Sequence, residues 1–451
     1  MIMQNARKFK LPAATLVALS FLVIIIVGTS LLCLPFAAKD GKVDFLTSFF
    51  TATSASCVTG LIVADTFTHW SYFGQIVILL LIQVGGLGFI TIMSLFTLYL
   101  KKHTSLSQRK LAAQSVGSIN MVSTKSLVKI ILLGTLIIEF CGAFLLSISF
   151  IQDYGWGMGI WQAVFTAVSA FCNAGFTITG ANGGNSLCSY VGNPLVLLVV
   201  SLLIITGGIG FFVWSDVVHH GIHVKKYSFH SKIVFTVTGI LIILGWILFG
   251  VFEWKNPYTI GNEGAGTKIL ASLFLSVTPR TAGFNVIDYA VMSPAGMALT
   301  DVFMLIGGSP GSTAGGMKTT TVAVFFLSML ATARRKEEVQ LYKRRFENDA
   351  PYQAGSIFGL YMLVFALSVF LICGVEGNSL RLDFAAFEVA SAVGTVGLSC
   401  GITAGLHAVS KLVLILLMFF GRVGGFTLML LFTGDKKPVT MSRVSEHIIV
   451  G

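Results

Sequence analysis

The sequence predicts an all-α polytopic membrane protein. Of its 451 residues, 55% belong to the apolar and aromatic set and only 11% are charged, against about 25% charged in an ordinary soluble domain. Mean hydropathy is +0.86. So few charges cannot cover that much apolar surface in water, which excludes a soluble enzyme, a disordered chain and a secreted disulfide scaffold. The chain also has 48 glycines against nine prolines. A plain helix bundle has little use for glycine, so something here needs backbone freedom or close backbone approach inside the membrane.

In chain order, Arg7, Lys8 and Lys10 precede an apolar run from Leu11 to Phe36. A signal peptide would show an apolar core of about 7–15 residues and a cleavage site. This run is long enough for a retained span, at about 20 residues per crossing. Eight spans are expected, near 12–34, 73–100, 126–151, 194–217, 232–252, 298–329, 355–375 and 409–433. Between the members of each pair lies a shorter apolar stretch, near 44–56, 160–171, 267–279 and 383–394. These are too short to cross and suit re-entrant helices.

Charge bias sets the orientation. Twenty-one Lys and Arg fall in loops predicted to be inside. Seven fall outside: Lys39, Lys42, Lys255, Lys268, Arg280, Arg381 and Lys411. Lys318 and Arg422 remain within membrane segments. The positive-inside rule then makes both termini cytoplasmic and puts every short stretch on the outer side. Loop bias accounts for the net charge of +11 without a nucleic-acid partner. The seven cysteines show no C-x-x-C pattern and read as small hydrophobes.

The long–short–long unit recurs four times, with repeats expected over 1–105, 106–224, 225–345 and 346–434 and a cytoplasmic tail over 435–451. After the short stretches come Thr59-Gly60-Leu61, Ala174-Gly175-Phe176, Ala282-Gly283-Phe284 and Val396-Gly397-Leu398. The glycines are 115, 108 and 114 residues apart. Ten residues before them stand Phe50, Phe165, Leu273 and Phe387. Ser-Ala pairs begin six residues before three of them, at Ser54, Ser169 and Ser391, and the third unit has Val277-Thr278 there.

A short helix ending in mid-membrane leaves its last carbonyls unpaired. Bare backbone at that depth is tolerated only where protein surrounds it or where it lines a water-filled cavity. Four such loops around one axis bring carbonyl oxygens together that can replace the water shell of a cation. The helix C-termini add a partial negative charge of roughly half an electron each. No carboxylate is needed, and 56–61 and 394–399 contain none. The loop glycine serves backbone geometry and leaves the tightest ring free of side chains; a simple turn glycine is the plainer alternative at any one site.

The motifs SASCVTGL (54–61), SAFCNAGF (169–176), TPRTAGF (278–284), VGTVGLS (393–399), GGSPGSTAGGMKTT (307–320) and GRVGG (421–425) resemble the Ktr/Trk/HKT superfamily of potassium transporters. The resemblance covers essentially the whole chain and is nearest the membrane subunit of bacterial Ktr systems. It implies a potassium filter made by Cys57-Val58-Thr59-Gly60, Asn173-Ala174-Gly175, Thr281-Ala282-Gly283 and Thr395-Val396-Gly397, the ion resting on their carbonyls. Glycine at position 60 implies potassium preference, since some relatives with serine there favour sodium. The resemblance also implies a homodimer with one pore per protomer and a cytoplasmic ring of nucleotide-binding regulatory subunits of the KtrA type. Sodium dependence occurs in the family, but no residue here derives it.

The sixth span is interrupted by 307–316, with five glycines and a proline, so a continuous helix is not expected. The reading is a gating loop beneath the filter, involving Gly308, Gly311, Ser312, Thr313, Gly315, Gly316 and Lys318. Met317 between Gly316 and Lys318 breaks the phosphate-loop pattern G-x-x-x-x-G-K-[ST]. Arg422, about 2.5–3.5 kcal/mol costly at mid-membrane, reads as a positive charge at the cavity mouth. The resemblance pairs it with the gating loop. Glu139 and Glu388 are expected to be structural ties, and His219-His220-x-x-His223 an interfacial polar loop. The basic runs at 334–336 and 343–345 are placed to meet anionic lipid. The paired glycines at 85–86 and 207–208 are expected to let helices pack closely.

The rival functions are an alternating-access secondary cation transporter and a polytopic membrane enzyme. The first usually has two repeats, often inverted. The second needs convergent catalytic side chains in the spans, and none is visible.

Overall fold

A computed structural model describes residues 13–88, 124–182, 186–336 and 338–425. The basic N-terminus, the loop bearing Lys101, Lys102, Arg109 and Lys110, and the tail 435–451 lie outside the described residues. The described chain is mostly helical, with one short antiparallel hairpin pairing Gln340–Leu341 with Arg344–Arg345. It opens with α1 (Ala13–Leu32), α2 (Phe45–Ser56) and α3 (Tyr72–Leu87). Next come α4 (Thr124–Phe171), α5 (Pro194–Ile209), α6 (Phe211–His220), α7 (Phe229–Glu253) and α8 (Ala265–Val277). The remainder is α9 (Pro294–Leu305), α10 (Thr319–Ala333), α11 (Ala350–Glu376), α12 (Leu382–Gly394) and α13 (Ala408–Val423).

Local chemistry marks the helix starts. Asp44 caps α2 by accepting the Thr47 N–H (3.1 Å), and Ser71 does the same for α3 through Gly74 (3.3 Å). Asn193 and Ser293 cap α5 and α9, each just ahead of a proline in the first turn, where the missing N–H costs nothing. Within α4, Gly155 (φ 77°, ψ 173°) separates a long outer part from a short inner one.

Four short helices lie at the centre: α2, the part of α4 after Gly155, α8 and α12. Phe50, Phe165, Phe274 and Phe387 on them are fully buried. In the third, Phe274 rather than Leu273 fills that place, one residue later than its counterparts. The long helices α1, α4, α7 and α11 stand outside, and Phe140, Ile247 and Phe370 on them are more than half exposed. That polarity, apolar outside as well as inside, is what lipid allows.

By length and apolarity, four helices among the described residues can cross a membrane, and the bent pair α5–α6 makes a fifth. The other expected spans coincide with helices that glycine interrupts or that run into residues outside the described set. Helix α3 stops at Gly88 (φ 79°), α5 at Gly210 (φ 104°) and α13 at Gly424 (φ 89°). Helix α6 leaves α5 at 96°, and residues 306–318 separate α9 from α10. Hydropathy measures apolarity, not backbone continuity, so it runs straight through these breaks.

The interrupted helices pack backbone against backbone on the short ones. A Cβ on Gly85 would strike the Ser56 carbonyl, on Gly207 that of Phe171, and on Gly421 that of Val393. Three inner helices thus touch the C-terminal ends of three short helices through glycine.

Candidate functional site

Each short helix ends in a loop whose φ angles alternate in sign. Val58, Asn173, Thr281 and Thr395 have φ of 56°, 60°, 66° and 52°. The glycines two residues on have 94°, 69°, 77° and 95°. The residue between them stays at negative φ in all four loops. Alternation of this kind turns successive carbonyls toward one side, where an ordinary strand would alternate them.

The amides show which side is which. The N–H of Thr59 donates to the Ser54 carbonyl (2.8 Å), Ala174 to Ser169 (2.7 Å) and Val396 to Ser391 (2.8 Å). The glycine N–H groups of 60 and 397 donate to the hydroxyls of Ser54 and Ser391, both at 3.0 Å. The third loop reaches the same end one residue later. Ala282 N–H donates to the Thr278 carbonyl (3.0 Å), and the Thr278 hydroxyl donates to the Phe284 carbonyl (2.8 Å). The carbonyls of 58–60, 173–175, 281–283 and 395–397 accept no hydrogen bond among the described residues.

The glycines form a closed circuit. A Cβ on Gly60 would strike the carbonyl oxygen of Ala174, and one on Gly175 would meet that of Ala282 at 2.8 Å. Gly283 faces the carbonyl of Val396, and Gly397 that of Thr59, which returns to the first loop. The four loops therefore converge on one centre with no room for a side chain there. Asn173 and Thr281 tie the second loop to the third (3.3 Å). With its amide oxygen toward Thr281, Asn173 donates its nitrogen to the carbonyls of Ala170 (3.1 Å) and Ile204 (3.2 Å). Glu388 accepts from the hydroxyls of Ser399 and Thr403 (3.0 Å to the latter), bracing the fourth loop's outgoing strand.

The segment 306–318 lies against these loops and the inner helices. Its ends are joined, Ile306 to Met317 and Gly307 N–H to the Met317 carbonyl (2.8 Å). Thr313 is its hub: its N–H donates to the Gly207 carbonyl (3.3 Å) and its hydroxyl to that of Phe171 (3.2 Å). Gly315 packs on the side chain of Thr395, and Gly316 N–H donates to the Gly421 carbonyl (3.2 Å). Gly311 accepts from Phe211 (2.8 Å), and Gly308 from Thr319 (3.1 Å). Lys318 Nζ folds back on the Ala314 carbonyl (2.8 Å), and Ser312 Oγ on that of Ser309 (2.6 Å). Arg422 donates from one nitrogen to the Thr313 carbonyl and from the other to those of Gly85 and Gly86. One segment is thus held by α3, α5 and α13, the first of these through Arg422.

Some placements depart from the sequence reading. Arg280, counted above among outside charges, is interior and only 8% exposed. It follows α8 at the position of Cys57, Cys172 and Gly394 in the other units, at the inner end of its loop, where hydropathy windows see only the polar residues of a connection. Cys57 itself is buried at the end of α2. Glu139 accepts from Gln83 (3.3 Å), a tie between α4 and α3. His219, His220 and His223 contact main-chain carbonyls of residues 215, 216 and 220, and no metal-binding group occurs among the described residues. The contacts of Gly315 with Thr395 and of Asn173 with Thr281 had no signal in the sequence.

This fold and this convergence of loops define a membrane transport protein, not an enzyme. A family model described as TrkH, cation transport protein, matches residues 5–437, and the chain belongs to that family. Among curated relatives, the potassium/sodium uptake protein NtpJ of Enterococcus hirae is 40% identical over the full length of both chains. The Ktr system potassium uptake protein B of Bacillus subtilis is 38% identical over 92% of each chain. Its namesake from Vibrio alginolyticus is 36% identical over 97% of this chain and 94% of its own. The crystal structure of the potassium transporter TrkH from Vibrio parahaemolyticus superposes with a TM-score of 0.74 over 95% of this chain and 87% of its own, at 19% identity, and shares the fold.

Proposed function

We propose that this chain carries potassium into the cell through a filter made by the four glycine loops. The observation that carries the proposal is the division of labour in their backbone: amides spent on the short helices, carbonyls left unspent around a closed ring of glycines. Such a ring offers a dehydrated cation oxygen ligands without a fixed negative charge. The four C-terminal helix ends favour the cation further. In this reading the chain is four repeats, 1–105, 106–224, 225–345 and 346–434, with both termini cytoplasmic. The names of the relatives support potassium as the substrate, and their place in Ktr systems supports a multi-subunit assembly, which in this reading is a homodimer on a cytoplasmic nucleotide-binding ring. Sodium assists uptake in this reading; the Enterococcus relative is named for potassium and sodium uptake.

Segment 307–316 is the gate, and Arg422 is its latch. Two tests apply. Expression in a potassium-uptake-deficient bacterium restores growth at low potassium; failure of a well-expressed protein to do so sinks the substrate. Deleting Gly311–Gly315 raises potassium flux in liposomes, and unchanged or lower flux from a folded variant sinks the gate.

A further inference from the structure

Behind the gating segment the fold buries a second arginine with too few acceptors. Arg280 is 8% exposed. Its Nη2 has one contact, the Thr238 hydroxyl at 3.5 Å, and its buried Nε has no partner. Among the described residues, no carboxylate lies within ion-pair distance of it. The C-terminal end of α8, just before it, supplies only roughly half a counter-charge. An unpaired charge away from water costs several kcal/mol or more.

The guanidinium lines a small cavity together with Ile204, Ile205, Gly208, Thr238, Val277 and Gly308. The N–H of Gly308, a buried residue, has no hydrogen-bond partner among the described residues. The cavity therefore gathers donors and positive charge. The one side-chain acceptor in the lining, the Thr238 hydroxyl, can also donate by rotating. The other side chains of the lining, Ile204, Ile205 and Val277, are apolar, and a low local dielectric strengthens any ion pair formed there. The cavity volume is about 10 Å³, room for one small sphere of water size or slightly more. A carboxylate or a phosphate group is too large. Water fits but leaves the charge unmatched.

We propose that this cavity binds one small monatomic anion of the chloride class, held by Arg280, the Gly308 N–H and the Thr238 hydroxyl. Because Gly308 belongs to the gating segment and Gly208 to α5, the anion fastens the two together from behind. The site stands on burial and hydrogen bonding and does not depend on which cation is carried.

Crystals of the full chain grown in bromide test it directly. An anomalous peak within hydrogen-bonding reach of Arg280 Nε is expected, and it disappears in Arg280→Gln. Absence of the peak in the wild type overturns the site, as does a peak that persists in the variant. In nanodiscs at constant potassium, replacing gluconate by chloride gives a saturable rise in Tm of a few degrees, lost in Arg280→Gln. An equal rise in both proteins overturns the role of Arg280. If the variant does not fold, the wild-type bromide map alone decides.

Discussion

The four glycine loops and segment 307–316 are built from similar residues and lie against one another, yet they use their carbonyls in opposite ways. In the loops, amide groups bond to the parent helix and the carbonyls accept nothing from the protein. In the segment below, the carbonyls of Gly308, Ser309, Gly311, Thr313 and Ala314 are all taken by donors, mostly from other elements. A carbonyl already spent on a protein donor is a poor cation ligand. In the proposed function, the free carbonyls make the binding surface and the occupied ones hold the gate. Glycine abundance alone does not say which of the two a segment will be.

The contrast can be broken at its two ends. The largest effect is expected from Gly60→Ser, whose Cβ meets the Ala174 carbonyl at a φ of 94°. Strain of about 1–3 kcal/mol at such a position should reduce discrimination of potassium over sodium about tenfold or more, read as competitive uptake in liposomes. Next is Arg422→Gln, which removes charge-assisted bonds to Thr313, Gly85 and Gly86. Each such bond contributes about 1.5–3 kcal/mol, so basal flux should rise several-fold while selectivity stays near wild type. A fall in selectivity equal to the rise in flux would show that filter and latch are not separable.

Smaller changes sharpen the comparison. Ser391→Ala deprives the Gly397 N–H of its acceptor and should cost about 1–3 kcal/mol of stability, seen as a lower Tm with the gate unaffected. Ser54→Ala should match it, because Gly60 is held identically. Asn173→Ala removes the link between the second and third loops together with the amide bonds to the Ala170 and Ile204 carbonyls. About 1 kcal/mol is expected for each bond lost, with a slight loss of discrimination in the same flux assay.

The third unit shows where sequence patterns stop. The common phase of Phe, Ser-Ala and Gly makes three short helices legible. In the third, the buried Phe274 and the helix-closing Thr278 each stand one residue later. Thr281 and Gly283 nonetheless take the same φ signs as their counterparts. The helix end absorbs the slip, and only coordinates reveal that. Arg280 shows what charge counting leaves out: it is counted as a charge of an outer connection, and the structure buries it just after α8. Arg422 was easier to read, since a charge in mid-span has few places to go.

Composition, hydropathy and the spacing of four glycines were enough to determine a multi-helix membrane protein with a fourfold internal pattern, because lipid demands apolar surface and paired backbone wherever the chain crosses. Only the tertiary structure decided which carbonyls stay unspent, that the glycines close a ring, and that Thr313, Arg422 and Gly85 meet. Those are contacts between residues up to 337 positions apart. Their geometry depends on how α3, α5 and α13 pack on the short helices, and no local pattern along the chain encodes that packing.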